Sequence, residues 1–271
     1  MGLLVPWLLW CRPDFIREHG AQELITRINI KNKVFGNEGF SLDLNLSSDE
    51  LVSFRKFVTT QWLDRIRLSY PNVSDIFEDI GIERYHEKSD LIDHKTNWPK
   101  VSRILPSSCI EIIRKMDFFS SLQFELGELD ITDEENVGWG EIYWRIVRPN
   151  TMDDIGPLHA DAWFWTLGHG NIPPNKDRIK VWIPLFCEAG LNGLRVVPGS
   201  HLKEWNFWGE KRDGFVKPQF DEKASGVCPQ LLYTQPGQIV VFNDKLLHGG
   251  SLNQGQQTRI SVEMTLLYTK I

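Results

Sequence analysis

A mainly β fold with flanking helices, a sandwich or jelly roll, is predicted by three features of this 271-residue sequence. Short runs rich in β-branched and aromatic residues crowd the part after Trp139, as half-buried strands require. Compact turn signals separate them. The preceding part shows instead the three- and four-residue spacing of amphipathic helices. We read one domain over 1–271, with a mostly helical N-terminal layer (1–138) and a jelly-roll core (139–271) that carries a lid insertion at about 201–229.

In chain order, the apolar segment Met1–Cys11 lacks a basic leader and a cleavage site, and is too short to span a bilayer, so it is expected to pack on the body. Ser47 and Glu50 have the spacing of a capping box, and behind them Leu51, Phe54, Val58, Trp62 and Ile66 form one apolar face, ended by Pro71. Shorter helices are expected at Ser74–Ile80 and Ser107–Met116, with a loop or lid over Tyr85–Pro99. The strands are Gly140–Pro149, Ile179–Phe186, Leu194–Val197, Leu231–Thr234, Gln238–Phe242 and Arg259–Tyr268. Turns fall at Ile172–Asn175, Asn192-Gly193, Pro198-Gly199, Pro236-Gly237 and Gln254-Gly255.

The net charge of −6 offers no broad phosphate-binding face, so no nucleic-acid partner is expected. Four separated cysteines make neither a disulfide framework nor a zinc knuckle, and suit a reducing cytosol. The expected setting is cytoplasmic, with a small-molecule substrate, no membrane, and an oligomeric state the sequence does not define.

The chemistry gathers around His159-Ala160-Asp161. On an extended strand residues i and i+2 share a face, so both side chains reach one ion. His248, after the strand Gln238–Phe242, supplies a third ligand. Two imidazoles and a carboxylate form the facial triad of non-haem Fe(II) oxygenases; zinc with a bound water is the alternative. Eleven residues beyond His248, Arg259 interrupts an apolar-aromatic strand, with Ser261 on the same side. A buried guanidinium demands an anion and fits a carboxylate through two parallel hydrogen bonds. A carboxylate held there, on a molecule that also chelates the metal, describes 2-oxoglutarate.

These residues, with Asn192–His201 (NGLRVVPGSH), resemble the phytanoyl-CoA dioxygenase-like family of Fe(II)/2-oxoglutarate-dependent oxygenases, over roughly 140–267. The resemblance implies a double-stranded β-helix (cupin-like jelly roll), iron on His159, Asp161 and His248, and the cosubstrate carboxylate on Arg259. It adds Trp182 to the cosubstrate pocket, and O2 as co-reactant. The serine expected two residues after the distal histidine is Gly250 here, followed by Ser251. Halogenating members replace the carboxylate ligand by a small residue. Asp161 is retained, which implies a hydroxylase or desaturase. Trp163, Tyr143 and Arg145 are the expected substrate contacts, Arg145 with a strand ion pair as its alternative role. His201 is expected to stabilise a turn, and His86, His94 and His169 to lie in solvated loops. Trp205 and Trp208 are expected to anchor the lid. A zinc-dependent hydrolase and a non-catalytic jelly-roll binding module remain the alternatives.

Overall fold

A computed structural model describes residues 29–170, 172–212 and 215–270; the expectation for Met1–Cys11 lies outside them. The helical layer contains α1 (Asn29–Phe35), α2 (Ser48–Ser69), α3 (Ser74–Ile80), α4 (His94–Asn97), α5 (Ser107–Ile113) and α6 (Asp117–Leu126). The predicted capping box is present: the Ser47 hydroxyl accepts from the Glu50 N–H while Glu50 accepts from the Ser47 N–H. Phe54, Val58, Trp62 and Ile66 are buried along one side of α2, each stabilising by about 1.5–3 kcal/mol through removal from water. Tyr85–Pro99 is not a loop. It forms a 3₁₀ helix (Ile82–Leu91) and the single turn of α4, because Ile82 and Tyr85 pack into the helical core.

The β part is two facing sheets, as the jelly-roll expectation required. The larger sheet has the order β1 (Phe40–Asn45), β9 (Gln238–Asn243), β4 (Lys176–Phe186), β11 (Arg259–Thr269), with β2 (Leu129–Ile131) and β3 (Ile142–Val147) sharing the far edge of β11. The smaller sheet is β10 (His248–Gly250), β5 (Leu194–Val196), β8 (Gln230–Leu231). The helical layer thus contributes two strands, β1 and β2, that its sequence did not announce. One apolar core joins that layer to the outer face of the large sheet through Ile179, Val181, Ile183, Val262 and Met264.

Strand alternation sends the neighbours of those residues the other way, into the space between the sheets. There Trp182, Val240 and Phe242 meet Leu194, Val196 and Leu246. Beside this apolar floor the same inner face turns polar: Lys180, Arg259, Ser261, Glu263 and Thr265 alternate with the core residues and are nearly all inaccessible. Register sets Ser261 opposite Arg145, Glu263 opposite Tyr143 and Trp182, and Thr265 opposite Lys180. A polar stripe inside a sandwich costs stability unless each group is paired or meets a ligand, and so it marks the site.

The insertion is a hairpin of β6 (Trp208–Arg212) and β7 (Phe215–Gln219), followed by α8 (Glu222–Ser225). Trp205 anchors it, its indole N–H donating to Ser200 O. Trp208 does not: it is an exposed residue, and Phe207 takes the anchoring role.

Candidate metal centre

His159 and Asp161 do not lie on one strand. His159 makes an isolated bridge with His248, each N–H donating to the other's carbonyl, and Asp161 begins α7 (Asp161–Thr166). Ala160 between them keeps extended torsions (φ −109, ψ 136), so the two side chains still converge. One ligand atom from each of His159, Asp161 and His248 lies within 4.8 Å of the others.

The imidazoles are oriented from behind. His159 Nδ1–H donates to Pro157 O (2.8 Å) and His248 Nδ1–H to Leu246 O (2.9 Å). Both protons are thereby on Nδ1, which leaves the Nε2 lone pairs free for a metal. The rings stand 4.6 Å apart, and Phe242 packs on His248. Burial pushes His248 down to about 4, so it stays neutral at pH 7, as a ligand must. Burial alone would raise the Asp161 carboxyl; Lys180, His248 and His159 outweigh it and hold the group well below the usual carboxylate range. Asp161 Oδ2 is buried and accepts no hydrogen bond, so this carboxylate is balanced by neighbouring cations rather than by N–H or O–H donors.

Arg259, 2% exposed, donates through Nη1 to Gly193 O (2.6 Å). Its Nε has no partner, and neither have the buried hydroxyls of Ser261 and Ser251. The Ser251 N–H shares Gly193 O with the guanidinium, which ties Ser251 to this corner. Gly250 lies beside it, where a Cβ would meet Arg259 Nη2 at 3.4 Å, an ordinary van der Waals contact. Two unpaired buried hydroxyls beside a guanidinium that has its own Nε unpaired and is pushed down to about 10 by burial form a cradle that a carboxylate could satisfy. Glu263, the other conceivable partner of Arg259, is engaged elsewhere: its Oε1 accepts from Arg145 Nε at 2.6 Å.

Arg145 therefore does form the strand ion pair, and its Nη2 donates to the Tyr143 hydroxyl (3.0 Å). Its side chain nevertheless stays 38% accessible, so the ion pair does not seal it from solvent. Burial would raise Glu263, but Arg145 and Lys180 hold it down to about 2, while burial raises Tyr143 to about 12. Trp182 lies in the apolar floor opposite Glu263.

The structure corrects Trp163. Residues 161–166 are helical, not a strand, and Trp163 turns away from the ligands to stack on Phe207 (4.8 Å, 9°) with Leu158, Ala160 and Leu247. These residues alternate with His159 and His248, so one side of each segment seats the insertion while the other side carries the two imidazoles. Phe164 instead packs edge-on to His159 (5.6 Å). His201 ties its segment to a distant one rather than stabilising its own turn, its Nε2–H donating to Gly36 O. His86, His94 and His169 are not free in loops: they bind Thr258, Tyr85 and Val216 O respectively.

Lys180 is the site residue that sequence reading missed. Its signal was a lysine in the apolar run Ile179–Phe186, as clear as that of Arg259 in its own strand.

Fold and site together define a jelly-roll protein in which two histidines and a carboxylate could hold a metal ion. The comparisons make the class specific. The profile of the phytanoyl-CoA dioxygenase family matches residues 46–261, and the chain belongs to that family, whose members use Fe(II), 2-oxoglutarate and O2. No curated protein matches it by sequence. Among solved structures it is similar to EctD from S. alaskensis with 2-oxoglutarate and 5-hydroxyectoine, at 16% identity and TM-score 0.54, covering 89% of this chain and 75% of that one. It is similar also to EvdO2 from Micromonospora carbonacea var. aurantiaca complexed with 2-oxoglutarate, at 14% identity and TM-score 0.53, covering 89% and 90%. At these identities the likeness is one of fold. Among the described residues no helix is long and apolar enough to cross a membrane.

Proposed function

We propose that the protein hydroxylates a C–H bond of a small organic metabolite while 2-oxoglutarate is converted to succinate and CO2. The observation that carries this reading is the convergence of His159, Asp161 and His248, both Nε2 lone pairs turned to one point, beside the unpaired cradle of Arg259. His159, Asp161 and His248 would hold iron, which supplies the oxidising chemistry when bound. Arg259, Ser261 and Ser251 would grip the distal carboxylate of 2-oxoglutarate, and Trp182 would wall its pocket. The carboxylate of Asp161 favours hydroxylation or desaturation over halogenation, because it fills the position a halide would need.

Tyr143 and Arg145 would face the substrate. With Glu263 and Lys180 they make the chamber wall charged and hydrogen-bonding, which favours a small polar substrate over a long acyl chain. The insertion, seated on Trp163 through Phe207, would keep water from the reaction. The three described cysteines are free, in keeping with a cytoplasmic setting. The test is an aerobic assay with Fe(II), 2-oxoglutarate and a panel of small polar metabolites. Succinate released together with a product heavier by one oxygen atom supports the reading. Turnover that needs zinc but no 2-oxoglutarate refutes it in favour of the hydrolase.

A further inference from the structure

We infer that Lys180 is a positioning residue for the metal centre: its ammonium takes one oxygen of Asp161, so that the carboxylate binds the metal through the other alone. The inference rests on the oxygenase reading above.

The Lys180 side chain is only 5% exposed, and an ammonium removed from water needs compensation. Its Nζ donates to Thr265 Oγ1 (2.8 Å), and that hydroxyl donates to Glu134 Oε1 (2.7 Å). This chain fixes the ammonium 3.6 Å from Asp161 Oδ2, an ion-pair distance about 0.7–0.9 Å longer than a charge-assisted hydrogen bond. Oδ2 itself is buried and has no hydrogen bond. Two other groups pair with this carboxylate, His248 Nε2 at 3.3 Å from Oδ2 and His159 Nε2 at 3.8 Å from Oδ1. Both imidazoles carry their proton on Nδ1, where Leu246 O and Pro157 O accept it. Among these ionic neighbours Lys180 alone has a proton to give.

The consequence is a count of positions. Three single-atom protein ligands leave three positions on a six-coordinate ion, two for the 2-oxoglutarate chelate and one for O2. A carboxylate bound through both oxygens would consume one of them. A proton donor on Oδ2 prevents that, and Lys180 is placed to be the donor.

The test is Lys180→Met, which keeps the unbranched stem and removes the donor. Anaerobic titrations with Fe(II) and 2-oxoglutarate follow the visible charge-transfer band of the chelate, and Co(II) absorption reports coordination number. We expect metal still to bind, the need for 2-oxoglutarate to rise by about tenfold or more, and the band to weaken. Lys180→Arg, which restores N–H donors, should recover part of the band. A Lys180→Met protein with the wild-type band and 2-oxoglutarate dependence overturns the inference, also where only turnover with substrate is lost, since Lys180 would then serve the substrate. Should Lys180→Met not fold, Thr265→Val, which removes the other anchor of the ammonium, decides: a weakened band supports the inference, an unchanged one overturns it. Absence of the band in wild type would instead refute the oxygenase reading itself.

Discussion

Replacing Arg259 by methionine removes the cation from the cosubstrate cradle while keeping much of its volume. The guanidinium is 2% exposed, spends one N–H on Gly193 O, and leaves Nε unpaired. A carboxylate bound there gains two charge-assisted hydrogen bonds of about 1.5–3 kcal/mol each. Their loss, about 3–6 kcal/mol, corresponds to roughly 10²–10⁴-fold in Kd for 2-oxoglutarate at about 1.4 kcal/mol per decade. Stability should move the other way, because the substitution deletes a buried charge that no acidic side chain pairs. Calorimetric titration of the metal-loaded protein under anaerobic conditions measures the affinity, and thermal unfolding without cosubstrate measures stability. A variant that binds 2-oxoglutarate within about threefold of wild type would refute the cradle. So would an unfolding temperature well below wild type, which would mean that Arg259 is a structural ion-pair partner.

Glu50 closes the capping box and also accepts the Phe118 N–H through Oε1, so Glu50→Ala leaves two donors of the helical layer unpaired and should cost about 2–4 kcal/mol in urea unfolding at unchanged 2-oxoglutarate affinity. Phe207→Ala removes the ring stacked on Trp163; limited proteolysis should cut the 201–229 insertion faster, with little change in metal binding. Burial pushes His94 down to about 4, against the opposing pull of Asp154. The unfolded chain takes up this proton near pH 6.5 and the folded chain only near 4. The stability that a neutral His94 allows is thus fully present above about pH 6.5 and drains as pH falls towards 4, by roughly 2–3 kcal/mol. Urea midpoints at pH 7 and pH 5 should converge in His94→Asn relative to wild type.

The convergence of His159, Asp161 and His248 was legible because such chemistry forces rare residue choices. A buried Arg259 and two histidines beside a carboxylate are hard to explain by packing alone. Strands β3, β4, β9 and β11 of the large sheet were legible from their β-branched runs, and α2 from Ser47, Glu50 and its apolar face. β1 and β2 were not, because Phe40–Asn45 and Leu129–Ile131 are short and gain their register only by pairing with β9 and β11. Trp163 was misplaced for a definable reason. Asp161–Thr166 reads as an alternating aromatic strand, yet its third residue turns with a helix toward Phe207. Lys180 was passed over although it interrupts an apolar strand as Arg259 does, and its role depends on Thr265 and Asp161, which only the fold brings near.

The most direct test of the central claim is an anaerobic titration of the protein with Fe(II) and 2-oxoglutarate, with His248→Ala and Arg259→Met alongside. The account predicts a weak visible charge-transfer band in wild type, no band in His248→Ala, and a band in Arg259→Met only at much higher 2-oxoglutarate. A wild-type protein that forms no band, or a His248→Ala protein that keeps it, would contradict the assignment of this site.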